Sequence, residues 1–334
     1  MTSVIQVRLI EPHEYDTWDS FVGKSPQGSL FHTSHWKRVL DESAGGPTQQ
    51  LWGAFGWQSI LGGCVVLERQ KFGQRTAVTP LLTPYNGFLL SPQLSEKFSS
   101  QVSQDRDVLN ALMEALKKRY PYQSLINTPA LDDVRPLLNA GYRVTPRYTY
   151  EINLRLHEDE LWKRLDGSVR QQIKKGLEAK LEVSGNLDSD AAWRLFEDNF
   201  FRRGERCPVP KGLFLGIAEG SHLKDFRSNY CVLQNGTLIS FVTVLRFQDV
   251  VYYSLAATAG NKMDLGVSPF LIWEVIRVNG ADHASVLDFV GANIGSIARF
   301  KEGFNPRLRV HFQAEYFGGV YIKIGHRLRK AFRL

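Results

Sequence analysis

One short turn sequence constrains the fold of this chain most strongly. Asn235–Gly236 separates two apolar, alternating segments, Tyr230–Gln234 and Leu238–Phe247. An Asn-Gly pair between such segments predicts a β-hairpin, because both residues accept the positive φ angles of a type I′ turn. Val250–Ala257 continues the alternation and adds a further antiparallel strand. The second half of the chain is therefore predicted to contain an antiparallel sheet.

Helices and strands of a mixed fold surround this sheet. Apolar spacing predicts four further elements, namely helix Val267–Asn279, buried strand Val286–Phe289, helix Ile294–Phe304 and strand Val310–Phe317. The first half has a similar order, with strands, a long helix over Leu94–Arg119, and a last strand near residue 150. This similarity predicts an α+β chain of two tandem lobes, 1–150 and 151–334, each a mixed, mostly antiparallel sheet flanked by helices.

Composition limits the class of protein. The chain has 334 residues, 43% hydrophobic and 22% charged, which supplies a core for each half. Neither Cys64, Cys207 and Cys231 nor the eight histidines have the spacing of a disulfide framework or a metal site, so no metal is predicted. The amino terminus lacks the pattern of a secretory leader, and the apolar runs are short, so a cytoplasmic protein is predicted.

The net charge of +7 is concentrated at one end of the chain. Nine basic and two acidic residues lie between Arg299 and Leu334. A basic patch of this kind favours a polyanionic partner such as RNA, a nucleotide phosphate or an anionic membrane surface, and a solubilising tail is the alternative. Tyr321–Phe332 is predicted to be a basic helix whose apolar residues recur at every fourth position, which would suit a membrane surface.

A loop with the sequence ATAGNKMDLGVSP joins the strand Val250–Ala257 to the helix Val267–Asn279. Helix amino termini bind phosphate through free backbone N–H groups and the helix dipole. Gly260 and Gly266 would allow close backbone approach, and Lys262 would add positive charge. The loop is a candidate phosphate-binding segment, and an ordinary connection is the alternative.

Further motifs occur in a characteristic order. They are Arg170-Gln-Gln-Ile173-Lys174-Lys175, Asp288-Phe-Val-Gly291 and Phe300-Lys301-Glu-Gly-Phe304. Together with His32–Trp36 and Pro84–Gly87 in the first half, this order resembles the FemAB-like aminoacyltransferases, a branch of the GNAT superfamily. The resemblance covers about residues 28–320 and implies two tandem GNAT-like lobes.

The resemblance also implies an activity. Such enzymes transfer an acyl or aminoacyl group from acyl-CoA or aminoacyl-tRNA to an amine, which attacks the donor carbonyl directly. They need no covalently bound cofactor, and catalysis comes from positioning and oxyanion stabilisation. The coiled-coil arm of some tRNA-using members is missing here, which leaves acyl-CoA open as the donor. The implied acceptor is a cell-envelope amine, such as a peptidoglycan precursor or a lipid-linked amine.

Three residues carry the implied catalytic roles. Lys301 would hold donor phosphate or the oxyanion, and Asp288 would orient Lys301 or take a proton from the amine. Tyr253, or its neighbour Tyr252, would line the acceptor channel, and strand alternation predicts that only one of the two faces the core. The alternatives are a solvated lysine, an aspartate that caps the next helix, and a core tyrosine.

The implied donor site lies upstream. Arg170 and Lys174 lie four residues apart on one helix face and would bind phosphate beside Gly260, Lys262 and Gly266. A solvated basic face is the alternative. At the level of the whole chain, the alternative is a non-catalytic protein of the same fold that binds nucleic acid or a membrane surface.

Overall fold

A computed structural model describes residues 5–44, 49–57, 59–71, 73–92, 95–292 and 295–319. The predicted basic helix Tyr321–Phe332 lies outside the described residues. Two compact units are formed: the first by residues 5–41, 49–147 and 310–319, the second by residues 42–44 and 148–309. The limits 1–150 and 151–334 of the two lobes stay a prediction.

The chain alternates short strands and helices. Up to residue 153 the elements are β1 (Gln6–Leu9), α1 (Tyr15–Lys24), α2 (Ser34–Ala44), β2 (Gln49–Gly56), β3 (Ser59–Lys71), β4 (Gln74–Val78), β5 (Leu89–Leu90), α3 (Phe98–Arg119), β6 (Tyr122–Ile126), α4 (Arg135–Asn139) and β7 (Arg143–Asn153). The later elements are α5 (Glu158–Arg164), α6 (Gly167–Glu178), β8 (Val183–Ser184), α7 (Ser189–Phe201), α8 (Lys211–Ala218), β9 (Arg227–Gln234), β10 (Thr237–Phe247), β11 (Val250–Thr258), α9 (Val267–Ala281), β12 (Val286–Asp288), α10 (Gly295–Glu302) and β13 (Arg307–Phe317). Among the described residues, no helix is both long and apolar enough to cross a bilayer.

The sheet of the first unit has the strand order β1-β2-β3-β4-β6-β13, and β5 pairs with β3. Its pairs are antiparallel except for β4 with β6. The long helix α3 buries Leu109, Leu112 and Leu116 in the core of this unit, at the spacing of one helix face. Gly62 of β3 permits the close approach of α3, because a Cβ there would lie 2.5 Å from Val108.

The sheet of the second unit has the order β7-β12-β11-β10-β9-β8. Asn235 and Gly236 have φ angles of +52° and +74° at the turn between β9 and β10, which confirms the predicted hairpin. All pairs are antiparallel except β11 with β12, which run parallel. The helix α9 connects these two parallel strands, as a crossover connection requires.

Helices cover both faces of this second sheet. Phe270 of α9, Ile173 of α6 and other apolar residues of α5, α6, α9 and α10 form the core of one face. On the other face, Phe214 of α8 packs edge-on against Phe241 of β10. The expectation that only one of Tyr252 and Tyr253 faces a core is therefore wrong, because a strand covered on both sides buries successive side chains. Tyr252 is 4% exposed, and Tyr253 is half-buried against the core that contains Phe270 and Ile173.

The mostly antiparallel α+β architecture flanked by helices is thus confirmed. Close packing between α6 and α9 fixes the position of the loop before α9. Gly176 makes this packing possible, since a Cβ there would lie 2.7 Å from the Cβ of Phe270.

Gly176→Ala should lower the free energy of unfolding by about 1–3 kcal/mol, because the new methyl group would overpack the contact with Phe270. The control is Gly167→Ala in the same helix, where a Cβ would meet nothing within 4 Å. Alanine favours helix over glycine, so the control should be neutral or more stable by up to about 1 kcal/mol. Urea unfolding followed by circular dichroism measures both, and equal effects would contradict the close packing.

Candidate functional site

The two parallel strands of the second unit part at their carboxyl ends. β11 and β12 pair at three positions, from Val250 opposite Val286 to Tyr252 opposite Asp288. β11 continues to Thr258, whereas the chain after Asp288 turns and bonds to β7. We call the space between residues 253–258 and the chain after Asp288 the β11–β12 gap. A crevice outside the carboxyl ends of parallel strands is where α/β sheets bind ligands.

A β-bulge lies at the base of this gap. Thr243 of β10 pairs with Leu255, but the next residue, Val244, pairs with Tyr253, so Ser254 is an extra residue in β11. A bulged residue is left out of the regular ladder and bends its strand. The backbone conformation of Ser254 therefore differs from that of its neighbours. This residue lies just past the point where β12 ends.

The amino terminus of α9 lies at the far end of the gap. The Thr258 and Ser268 hydroxyl oxygens are 2.8 Å apart, which joins the end of β11 to the first turn of α9. A 3-10 turn, Gly260–Leu265, connects them and contains Lys262, which is half-buried. Gly266 immediately precedes α9 with a φ of +69°, and a Cβ there would lie 2.1 Å from the carbonyl oxygen of Gln172. Glycine is thus required for this tight connection.

Arg202 adds a charge that the sequence analysis missed. The residue follows α7, and its Nη2 donates to the carbonyl oxygen of Thr258 at 2.9 Å. Its Nε lies 3.0 Å from the Asp198 carboxylate. A Cβ on Gly260 would come within 2.2 Å of Arg202 Nη1, so the guanidinium lies over the start of the loop. No local pattern marks this arginine, because its place depends on the packing of α7 against β11.

Lys301 lies on the β12 side of the gap. The side chain is 8% exposed, and its Nζ donates to the carbonyl oxygens of Phe289 at 2.8 Å and Gly291 at 2.9 Å. Burial lowers the pKa of Lys301 to about 8, an effect that the Asp288 carboxylate opposes. The Phe289 ring packs edge-on against Tyr253, with centroids 5.6 Å apart. Lys301 is therefore a buried lysine rather than a solvated one, and it shares the neighbour Phe289 with Tyr253.

Asp288 is also buried, with 3% exposure. Its Oδ1 accepts hydrogen bonds from Thr149 Oγ1 at 2.5 Å and from the backbone N–H of Val290 at 2.7 Å. The carboxylate thus fixes its own loop. Glu151 lies directly opposite Asp288 on β7, and burial together with the Asp288 charge raises the pKa of Glu151. Arg309 Nε, 3.5 Å away, balances the Glu151 charge.

Arg170 and Lys174 have different surroundings on α6. Arg170 Nη1 donates to the carbonyl oxygen of Lys163 at 3.0 Å and to that of Leu165, so this guanidinium joins α6 to the end of α5. Lys174 is exposed. The structure thus places Gly260, Lys262 and Gly266 in one loop beside α6. Whether any of the predicted site residues binds a ligand stays a prediction.

A cleft of about 770 Å³ lies elsewhere in the second unit. Its lining includes Asp249 and Ser285, which precede β11 and β12, and Trp273 and Ile276 of α9. None of Tyr253, Asp288 and Lys301 lines this cleft. The gap is the stronger candidate, because it lies at the carboxyl ends of the parallel strands whereas the cleft lies at their amino ends. Within the part of the chain that is described, His, Cys, Asp and Glu form no group of three or more that could hold a metal ion.

Solved structures share this fold. FemX aligns with a TM-score of 0.72 and 13% identity, over 93% of this chain and 97% of FemX. L-PGS from Bacillus licheniformis aligns with a TM-score of 0.55 and 12% identity, over 95% and 96% of the two chains. A tandem GNAT protein from the clavulanic acid biosynthesis pathway aligns with a TM-score of 0.51 and 9% identity, over 95% and 99%. No protein-family model and no curated protein matches the sequence. The chain thus has the FemAB-like double GNAT fold that the resemblance implied.

The buried Lys301 predicts a specific pH dependence of stability. The folded protein holds the Lys301 proton only up to about pH 8, whereas the unfolded chain holds it up to 10.5. Between these values the unfolded state binds more protons, so the contribution of Lys301 to stability rises with pH. The free energy of unfolding of the wild type should therefore rise relative to Lys301→Met by roughly 2–3 kcal/mol between pH 7 and pH 10.

Urea unfolding of both proteins at several pH values measures this difference, in which the other titrating groups cancel. The control is Lys174→Met, which removes an exposed lysine and should give a difference that does not change with pH. If the difference in free energy of unfolding between the wild type and Lys301→Met also does not change with pH, the buried, low-pKa state of Lys301 is contradicted.

Proposed function

We propose that this protein transfers an acyl or aminoacyl group from acyl-CoA or aminoacyl-tRNA to an amine. Both donors present the same chemistry, an activated acyl ester or thioester on a carrier rich in phosphate. The observation that supports the proposal most is the β11–β12 gap, with a bulge at its base and a helix amino terminus at its end. The FemAB-like double GNAT fold agrees with this class of reaction.

The donor phosphates would lie at the carboxyl end of β11. The first turn of α9 offers free N–H groups and the positive end of its dipole, which favour anions. Lys262 and Arg202 add positive charge at the same loop. The rest of the donor would extend along the free edge of β11, where backbone groups past Tyr252 have no partner in β12.

The reaction itself is an exchange of one acyl bond for another. The nitrogen of the neutral amine attacks the donor carbonyl carbon, and a C–N bond forms as the carbonyl oxygen becomes negative. The C–S or C–O bond to the carrier then breaks, and the carrier leaves with that electron pair and takes up one of the two protons that the ammonium form of the amine gives up. The Lys301 ammonium and the backbone N–H groups at the Ser254 bulge are the proposed donors to the oxyanion.

The acceptor amine arrives protonated at neutral pH and must lose protons. Asp288 is buried and already bonded to Thr149 and Val290, so we assign to it the orientation of Lys301 and not proton transfer. Glu151 beside it is half-buried and has a raised pKa, which suits a proton acceptor. The proposed acceptor is an amine of a cell-envelope precursor, such as a peptidoglycan precursor or an amine linked to a lipid.

Arg202→Gln should weaken donor binding about 10- to 100-fold, because a charge-assisted hydrogen bond to phosphate contributes about 1.5–3 kcal/mol. The control is the next residue, Arg203→Gln, whose side chain pairs with Glu205 at 3.4 Å and should leave binding unchanged. Thermal unfolding of the full chain with acetyl-CoA, coenzyme A, aminoacyl-tRNA or uncharged tRNA provides the measurement. A ligand at a hundred times its Kd adds about 2.7 kcal/mol of stability.

The four ligands separate the two donors. A shift with acetyl-CoA and coenzyme A that weakens in Arg202→Gln would identify acyl-CoA as the donor. A shift with aminoacyl-tRNA that exceeds the shift with uncharged tRNA would identify the aminoacyl donor. No shift with any ligand, or an equal shift with both tRNAs and none with coenzyme A, would overturn the proposal in favour of a non-catalytic binding protein.

A further inference from the structure

The turn after β12 contains strained backbone beside the gap. Val290 has a φ of +48° and Gly291 a φ of +140°. A β-branched residue at positive φ is a genuine outlier, so it persists only where the surroundings hold it. This turn therefore needs an explanation in the contacts around it.

The backbone of β7 holds the two ends of the turn. The N–H of Phe289 donates to the carbonyl oxygen of Tyr150, and the N–H of Ala292 donates to that of Tyr148, both at 2.9 Å. Val290 and Gly291 between them cannot continue this ladder, because their N–H groups point elsewhere; of the two only Val290 is strained, since glycine adopts positive φ readily. Side chains supply their partners instead.

Thr149 is the centre of these side-chain contacts. It has 0% exposure, and its hydroxyl donates to Asp288 Oδ1 at 2.5 Å and accepts from the N–H of Gly291 at 3.1 Å. The same Asp288 oxygen accepts from the N–H of Val290 at 2.7 Å. The Thr149 hydroxyl thus connects the Asp288 carboxylate, which holds Val290, with the backbone N–H of Gly291.

This same turn also holds Lys301. Its Phe289 and Gly291 carbonyl oxygens accept two hydrogen bonds from the Lys301 ammonium. An ammonium group has three N–H donors, and these two bonds are the ones that Lys301 makes among the described residues. The third N–H has no oxygen or nitrogen acceptor among the described residues, although the Phe289 ring centre lies 5.6 Å from Nζ. Its direction depends on where the two carbonyls lie.

We infer that Thr149 is a positioning residue, which holds the strained turn so that the Lys301 ammonium keeps one N–H directed to the β11–β12 gap. The assignment of that N–H to an acyl-transfer oxyanion rests on the proposed function, whereas the position of the ammonium does not. Neither the motifs nor the fold assigns a role to Thr149. A residue of this kind acts through Lys301 and has no contact with substrate.

The first test observes the ammonium in the protein without ligand. In protein labelled with ¹⁵N-lysine, a buried, hydrogen-bonded ammonium exchanges slowly and gives an NMR signal near pH 6, and Lys301→Met assigns it by its disappearance. Thr149→Val keeps the shape but removes the hydroxyl, and should abolish or shift the signal. Thr149→Ser keeps the hydroxyl and should restore it.

Loss of stability alone would not distinguish positioning from a structural role, so the signal decides. A Lys301 signal that is unchanged in folded Thr149→Val would overturn the inference. If Thr149→Val does not fold, Thr149→Cys replaces it, because a thiol is a weak donor and acceptor. It should shift the same signal, and an unchanged signal in Thr149→Cys would equally overturn the inference.

The second test measures acyl transfer by the same variants. A displaced ammonium should lower kcat about 100-fold in Thr149→Val with little change in KM, and Thr149→Ser should recover most of the rate. If Thr149→Val changes the NMR signal but the wild-type protein transfers no acyl group, the proposed function alone is rejected. A changed signal with an unchanged kcat would reject the assignment of the third N–H to the reaction.

Discussion

The early end of β12 is the constraint on which the candidate site depends. Once the parallel pairing stops at Tyr252 and Asp288, the edge of β11 beyond it has no partner in β12. Backbone groups at such an edge need hydrogen bonds from elsewhere, since unpaired buried polar groups are costly. The crossover through α9 returns a helix amino terminus to the same end of β11. A sheet edge that can pair and a helix end that attracts anions thus come together without any special sequence motif.

Burial explains why Lys301 and Asp288 both hold the turn after β12. A charge removed from water is tolerated only when it is paired or hydrogen-bonded. Lys301 meets this requirement through two backbone carbonyls, and Asp288 meets it through Thr149 and Val290. The same bonds fix the turn between them. Removing either side chain would therefore disturb the conformation of the turn as well as its charge, so a loss of activity alone could not identify a catalytic residue.

Local patterns predicted the fold well. The Asn235–Gly236 hairpin and the helix after β11 follow from turn chemistry and apolar period, which depend on neighbours in sequence. The resemblance to the FemAB-like family pointed to Lys301 and Asp288. In the structure Asp288 ends β12, and Lys301 of α10 bonds to the turn that follows. Thr149 and Glu151 could not be found in this way, because their partner Asp288 is far along the chain and meets them only through the register of β7 with β12. The tyrosine prediction failed for a similar reason, since a single strand does not reveal whether helices cover both faces of its sheet.

Hydrogen–deuterium exchange of the full chain, with and without saturating acetyl-CoA or aminoacyl-tRNA, tests the central claim most directly. A donor in the β11–β12 gap should slow exchange at the backbone N–H groups of residues 253–258 and at the first turn of α9. The amino-end cleft around Asp249 and Ser285 should remain unchanged. Protection confined to that cleft or to the first unit, or no protection by either donor, would contradict the assignment of the gap as the acyl-donor site.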